Sequence, residues 1–389
     1  MARLLPLLFA LPFCLLVAYP SGQDAAGVTR RSPPQLADGW ETGSLEWAGI
    51  DRERIELMTE SIRANPSRNI HAVLIERNGR LVYEEYFAGQ DERWGEPLGR
   101  IEFTRETKHD VRSVTKSVVS ALVGIALDKK LLPPLETPLV ELFPEYIDVQ
   151  TPERRRITLA HALSMTAGLE WNERVPYTDP RNDEIAMTRS ADPLHFVLNR
   201  PIAGAPGVKW EYNGGLTQVV ATALQRSVKI PIRQYANEVL FRPLGITDLE
   251  WLGDLGGLPY AASGLRLRPR DVAKFGSLYI HQGRWQGRQI VPAQWIERST
   301  RRSITFPDQS ESGYAYQWWH TCFSTSSGPI ETRFAVGNGD QRIFVMPRLN
   351  AVVTVLAGRY NDFSGSPAQR LLTDRIIPAI PAGQATPCP

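Results

Sequence analysis

Strand-like segments stand at both ends of this 389-residue chain, and helix-like segments fill the space between them. Near the start, Ala72 to Ile75 and Leu81 to Phe87 read as strands, and Asn78-Gly79 between them suits a type I′ turn. Near the end, Tyr314 to His320, Thr332 to Val336, Arg342 to Met346 and Ala351 to Leu356 alternate or run apolar. Strands need partners and a covered face. The arrangement that meets both needs is one sheet assembled from the two ends of the chain, with a helical lobe inserted between them.

The inserted part carries helical periodicity. Val114, Val118, Ala121, Leu122 and Ile125 recur at three- and four-residue steps, which predicts a buried helix from about Val111 to Lys130, ahead of Pro133-Pro134. Thr158 is placed to cap a second helix through Met165, closed by Gly168. Segments 215–229 and 231–242 read as two more, the latter stopped by Pro243, and Arg270 to His281 as another with Pro269 at its start. Asp51 caps an earlier helix to about Ala64. The expected fold class is α/β (α+β), an antiparallel sheet flanked by helices. The domain spans 46–389, with the helical lobe at about 130–255 and the α/β lobe making up the remainder.

The N-terminus reads as an export signal over residues 1–23. Arg3 precedes an apolar run from Leu4 to Ala18, and Pro20 to Gln23 break it. An uncleaved anchor is the rival reading. Residues 24–45 are polar and rich in Pro and Gly, so a flexible leader is expected. The expected location is periplasmic or secreted, with no stable membrane partner after cleavage. Removing the signal removes Cys14 and leaves Cys322 and Cys388, which an oxidising compartment allows to pair. Their positions alone leave paired and free thiols equally open.

A formal net charge of +2 argues against a nucleic-acid binder. Neither a phosphate-binding G-x-x-x-x-G-K-[ST] loop nor H-E-x-x-H nor C-x-x-C occurs, so no metal or cofactor is implied. Oligomeric state is not legible.

The sharpest chemical feature is Ser113-Val114-Thr115-Lys116 at the start of the buried helix. An alcohol becomes a useful nucleophile only when a base takes its proton. Residues i and i+3 share a helical face, so the Lys116 amine can reach the Ser113 hydroxyl. The free N–H groups and positive dipole end of the helix suit an oxyanion. Apolar neighbours Val114 and Val118 are expected to lower the lysine pKa by desolvation. The same residues also fit an ordinary capped and solvated helix start, and S-x-x-K alone does not decide between the two.

Asp110 through Ser117 resembles the active-site segment of the serine β-lactamase and penicillin-binding-protein superfamily. It is most similar to the class C-like branch that holds esterases and 6-aminohexanoate-dimer hydrolases. The resemblance extends through Ile157 to Trp171, Pro206 to Tyr212, Ser263 to Trp285 and Phe334 to Gln341, in the order of that branch. It implies a serine hydrolase that cleaves small ester or amide substrates through an acyl-enzyme on Ser113. It also implies a phenol partner in a Y-x-N segment. The matching residues are Tyr212-Asn213-Gly214, with glycine in the asparagine position. Tyr235-Ala236-Asn237 spells Y-x-N literally, but falls mid-helix and reads as a packing residue set.

The branch's K-T-G or H-x-G strand aligns with Ala335-Val336-Gly337, where the cation or imidazole is missing. Gly337 and Asn338 are implied there as substrate- and oxyanion-binding positions, the second oxyanion N–H being that of Asn338 beside that of Ser113. His281-Gln282-Gly283 is a literal H-x-G that reads as a loop. His161, His109 and His320 have no spacing that demands a catalytic role, and a G-x-S-x-G elbow is absent. Trp171, Trp318 and Trp319 are candidates for an acyl pocket or for core. Alternatives to the hydrolase reading are a β-lactamase or D,D-peptidase, which the missing K-T-G lysine disfavours, and a non-catalytic peptidoglycan-binding or sensor protein.

Overall fold

A computed structural model describes residues 32–381 and 388, apart from 255–256, 307 and 326–327. The expected signal segment lies outside the described residues. Among those described, no helix is long and apolar enough to cross a membrane.

The Asp51 carboxylate accepts the Arg54 N–H and starts α1 (Arg52–Arg63). Strands β1 (Ile70–Arg77) and β2 (Arg80–Tyr86) follow, turned by Asn78 and Gly79 at φ 52° and 80°. A short hairpin, β3 (Gly89–Arg93) and β4 (Glu96–Ile101), leads to the two-residue β5 (His109–Asp110). The long helix α2 (Val114–Asp128) then enters the centre of the molecule.

Helices dominate the next stretch: α3 (Leu159–Leu163), α4 (Asp183–Arg189), α5 (Pro193–Leu198), α6 (Gly214–Val228) and α7 (Ile232–Ala236). The last runs on as irregular helix and is closed by Gly245 at φ 69°, two residues beyond the expected stop at Pro243. A small sheet pairs β7 (Leu265–Leu267) with both β5 and β6 (Glu250–Trp251), and so ties the strand before Ser113 to the segment leaving the helical region. Helix α8 (Pro269–Ile280), the two-residue strands β8 (Arg284–Trp285) and β9 (Arg288–Gln289), and α9 (Ala293–Thr300) come next.

The chain ends in β10 (Ile304–Phe306), β11 (Gln309–Tyr314), β12 (Trp319–Thr325), β13 (Gly328–Gly337), β14 (Gln341–Met346) and β15 (Ala351–Ala357), then α10 (Pro367–Leu371). The main sheet has the order β10-β11-β12-β13-β14-β15-β1-β2. Val73 stands opposite Val355, so the two ends of the chain pair within one sheet, one strand in from its β2 edge, as expected of a sheet built from both ends. The period-2 rule sends Ala72 and Leu74 to the core shared with α2 and α8, and Val73 and Ile75 to the core shared with α1 and α10. Both faces are covered, which is why β1 and β15 are buried almost throughout.

Two expectations change. Tyr314 to His320 is not one strand: β11 ends at Tyr314, Gln317 takes φ 66°, and the chain returns in β12. The described part of the 24–45 segment is held rather than loose. Trp40 is buried and donates to the Arg270 carbonyl, and Arg270 donates to Asp38 and to the Pro34 carbonyl. Thr42 bridges to Leu81. Cys322, on β12, forms a disulfide with Cys388.

Candidate active site

Ser113 occupies the cap position of α2, yet its side chain caps nothing. A serine there ordinarily accepts an amide of the first turn. Here Lys116, one turn on, donates to the Ser113 Oγ at 3.0 Å. The residue before the serine, Arg112, adopts φ 47°, a strained conformation for a side-chain-bearing residue. Arg112 is pinned there by Glu92, by Asp110 at 3.3 Å and by the Tyr360 ring at 5.0 Å. That anchoring turns the chain so that Ser113 faces the cleft as α2 begins.

Lys116 is fully buried. Besides Ser113 it donates to the Ala262 carbonyl at 3.1 Å and to Glu184 Oε2 at 3.4 Å. Burial works against its charge, but Glu184, Tyr212 and Glu173 more than offset it, so the amine is held above its ordinary value. This reverses the expectation drawn from Val114 and Val118. Apolar walls do desolvate the amine, but the acid that faces it comes from a distant segment that spacing along the chain does not reveal.

Tyr212 precedes α6, where Asn213 caps the helix by accepting the Leu216 N–H at 3.0 Å. The Lys116 ammonium sits 4.9 Å from the Tyr212 ring centre. Burial raises the phenol, and the ammonium and a bond to Ser113 pull it back. Tyr235 is elsewhere: it is a core residue of α7, its hydroxyl has no partner among the described residues, and burial pushes it up to about 12.

Gly337 ends β13 against the segment that leads into Ser113. A Cβ on it would stand 2.3 Å from the Val111 carbonyl oxygen and 3.1 Å from the Arg112 Cβ, so only glycine permits this approach. The approach brings Asn338 to the cavity that holds Ser113, where Trp94, Tyr177, Glu184 and Ser263 also contribute. The cavity encloses about 100 Å³. A larger hollow of about 610 Å³, lined by Lys129, Pro243 and Arg288, has no serine, threonine or cysteine in its lining. Arg112 also lines the Ser113 cavity, but Glu92 and Asp110 neutralise it. Among the described residues that line it, the cavity therefore has no uncommitted cation to play the part of the K-T-G lysine.

The structure adds groups that sequence reasoning missed. Glu184, in the first turn of α4, accepts from Ser263 at 2.8 Å through one oxygen and faces Lys116 with the other. Glu173 accepts from the Gly214 N–H, from the Trp171 indole at 2.6 Å and from the Tyr177 hydroxyl at 3.0 Å. Burial and the Glu184 charge push Glu173 up to about 7. The only hint in the sequence is that Glu173 lies two residues beyond the Leu163-to-Trp171 segment.

The remaining candidates are structural. Trp171 packs beside the site and holds Glu173, Trp318 is in the core against Tyr279, and Trp319 flanks Tyr212 with ring centres 5.9 Å apart. His320 bonds to Glu331, His161 belongs to the α3 cap, and His281 bonds to Glu76. His109 is buried with His71 and Asp91. Its Nε2 lies 2.8 Å from His71 Nδ1, the length of a hydrogen bond. Two nitrogens sharing a tetrahedral metal at 2.0–2.1 Å would be about 3.3 Å apart, so the pair fits a shared proton better than an ion.

The family model for Beta-lactamase matches residues 67–373. A 6-aminohexanoate-dimer hydrolase of Paenarthrobacter ureafaciens is 24% identical over 309 residues, which is 74% of this chain and 72% of that protein. Among solved structures, EstCE1, a hydrolase with promiscuous acyltransferase activity, superposes with a TM-score of 0.67 at 16% identity, over 86% of this chain and 98% of that one. A class C beta-lactamase mutant superposes with a TM-score of 0.63 at 14% identity, over 85% and 98% of the two chains.

Proposed function

The chain belongs to the Beta-lactamase family, and we propose that it is a serine hydrolase that cleaves small esters or amides through an acyl-enzyme on Ser113. The observation that carries this reading is the 3.0 Å contact between the Lys116 amine and a helix-start serine whose hydroxyl is left free of capping. Ser113 Oγ attacks the carbonyl carbon while the Lys116–Tyr212 pair takes its proton. The Ser113 and Asn338 N–H groups hold the oxyanion. The same pair returns the proton to the leaving alcohol or amine, and then draws one from the water that releases the acid. The 6-aminohexanoate-dimer hydrolase relative supports the reaction class.

The test is labelling with a fluorophosphonate followed by peptide mass spectrometry. The adduct is expected on the peptide carrying Ser113, with Ser113→Ala unlabelled and inactive. An adduct elsewhere, with Ser113→Ala fully active, would overturn the assignment.

Export to an oxidising compartment belongs to the same reading. The apolar Leu4-to-Ala18 run supports it, and so does the Cys322–Cys388 bond. N-terminal sequencing of the protein from its native host should find the first residues removed. A mature chain that still begins at Met1 would count against it.

A further inference from the structure

In the segment that aligns with Y-x-N, position 214 is glycine, and that space is not empty. A Cβ on Gly214 would stand 2.2 Å from Glu184 Oε2 and 2.9 Å from Glu173 Oε1. The buried carboxyl of Glu184 and the half-buried one of Glu173 thus converge where a side chain at 214 would begin, and the former faces the Lys116 amine at 3.4 Å. Glu184 arrives on α4 and Glu173 on the loop after Trp171, each fixed by its own donors: Ser263 for the first, Trp171, Tyr177 and the Gly214 N–H for the second.

We propose that Glu184 and Glu173 form a carboxyl pair that accepts the Lys116 proton, so that the lysine can in turn take the proton of Ser113. Both are positioning residues acting through Lys116, and the inference rests on Ser113 being the nucleophile.

The need for such a pair follows from the site's charges. A lysine held as an ammonium has no lone pair to offer a serine. A lone carboxylate is too weak a base to relieve it, but a second carboxylate beside it raises the proton affinity of the pair. The proton balance is simple. A Lys116 Nζ–H bond breaks and a Glu184 Oε2–H bond forms, leaving a neutral amine and one negative charge on the pair. The Ser113 Oγ–H bond then breaks as Oγ bonds to the carbonyl carbon, and Lys116 takes that proton. Lys116 passes it to the leaving group. In deacylation Lys116 takes a proton from the attacking water and gives it to Ser113 Oγ as the acyl bond breaks, and Glu184 then returns its proton to Lys116.

The other ionisable groups facing the pair are Tyr212 and Tyr177, with Tyr314 behind them. Burial keeps Tyr177 and Tyr314 well above the working range. Burial and the Glu184 charge push Glu173 up to about 7, so the pair, titrating as a unit, takes up its first proton near neutrality. Below that pH the pair already holds a proton and cannot accept another from Lys116, so activity should fall with acid.

The experiment is the pH dependence of kcat/KM for p-nitrophenyl butyrate with the full mature chain, alongside Glu173→Gln and Glu184→Gln. The wild type should lose activity through an ionisation near pH 7. Glu173→Gln removes the like charge, so that ionisation should move down by about one pH unit or more and the plateau should fall roughly tenfold. Glu184→Gln should lower the plateau about a hundredfold or more, in the range for a lost proton-transfer group, and abolish the limb near neutrality. A purely structural role would lower the melting temperature and leave the limb in place, and that result overturns the proposal. If Glu184→Gln does not fold, the comparison of wild type with Glu173→Gln decides alone. Fluorophosphonate labelling of the wild type separates the two levels of the argument. Labelled Ser113 with an unmoved limb in Glu173→Gln refutes the carboxyl pair alone, whereas an unlabelled Ser113 in active enzyme refutes the nucleophile itself.

Discussion

The Lys116 ammonium lies 4.9 Å from the centre of the Tyr212 ring, so each side chain bears on the other's proton. Burial makes the phenol a weaker acid, and the ammonium opposes that trend. Tyr212→Phe keeps the ring that packs on Trp210 and Trp319 and removes only the hydroxyl. We expect kcat to fall about 10²–10⁴-fold with the melting temperature nearly unchanged. Tyr235→Phe should keep most activity, because that hydroxyl has no bonded partner among the described residues. Steady-state kinetics and thermal melts of both variants check this, and the reverse pattern would remove Tyr212 from the mechanism.

Substrate charge supplies a second prediction. A β-lactam presents a carboxylate that needs a cation, and Arg112, the arginine lining the Ser113 cavity, is already bound to Glu92 and Asp110. A charge-assisted contact contributes about 1.5–3 kcal/mol, roughly ten- to a hundredfold in rate. Short-chain p-nitrophenyl esters should therefore be turned over at least that much faster than nitrocefin, measured as kcat/KM. Comparable values would favour a β-lactamase reading, and no turnover of either with no labelling would favour a binding protein.

What was legible in the sequence was local. Asn78-Gly79 needs positive φ at both residues and finds it, and Ser113 with Lys116 follows from helical spacing alone. The β3–β4 hairpin escaped because Glu96 to Arg100 are exposed on both faces and show no alternation. The Tyr314-to-His320 run looked continuous because Trp318 and Trp319 mask a turn whose signal is the backbone of Gln317. Glu184 and Glu173 were illegible because their partner is Lys116, which lies 68 residues before Glu184 in the chain. Trp40 reads as a leader residue until the groove formed by Trp285 and Arg270 exists to receive it.

The Cys322–Cys388 bond links residues 66 apart in sequence. Chain-entropy arithmetic for a loop of that length gives roughly 4 kcal/mol, an upper figure because reduced chains retain some order. Cysteine 322 sits on β12, on the sheet rather than at the Ser113 cleft. Cys388→Ser, or reduction with dithiothreitol, should lower the melting temperature by several degrees and leave kcat/KM at 25 °C within about twofold. Loss of activity at a temperature where the protein stays folded would show that the bond reaches the site.

The most exacting prediction concerns Gly337. Its Cα faces the Val111 carbonyl so closely that an added methyl would stand 2.3 Å from that oxygen. Carbon and carbonyl oxygen do not approach so near, so alanine must push the end of β13 away from the segment entering α2. On the proposed mechanism, the displacement carries the Asn338 N–H away from the oxyanion. Removing one such donor costs about 10²–10³-fold in kcat, and substrate binding in the ground state should change far less. Asn338→Ala is the informative companion. It keeps the backbone N–H and loses only the side-chain bonds to Asn361, so it should retain activity within about tenfold, well short of a lost oxyanion donor. If Gly337→Ala is active with an unchanged melting temperature, the end of β13 does not bound the oxyanion site. If Asn338→Ala is the more damaged of the two, the amide side chain rather than the backbone is the group that meets the substrate.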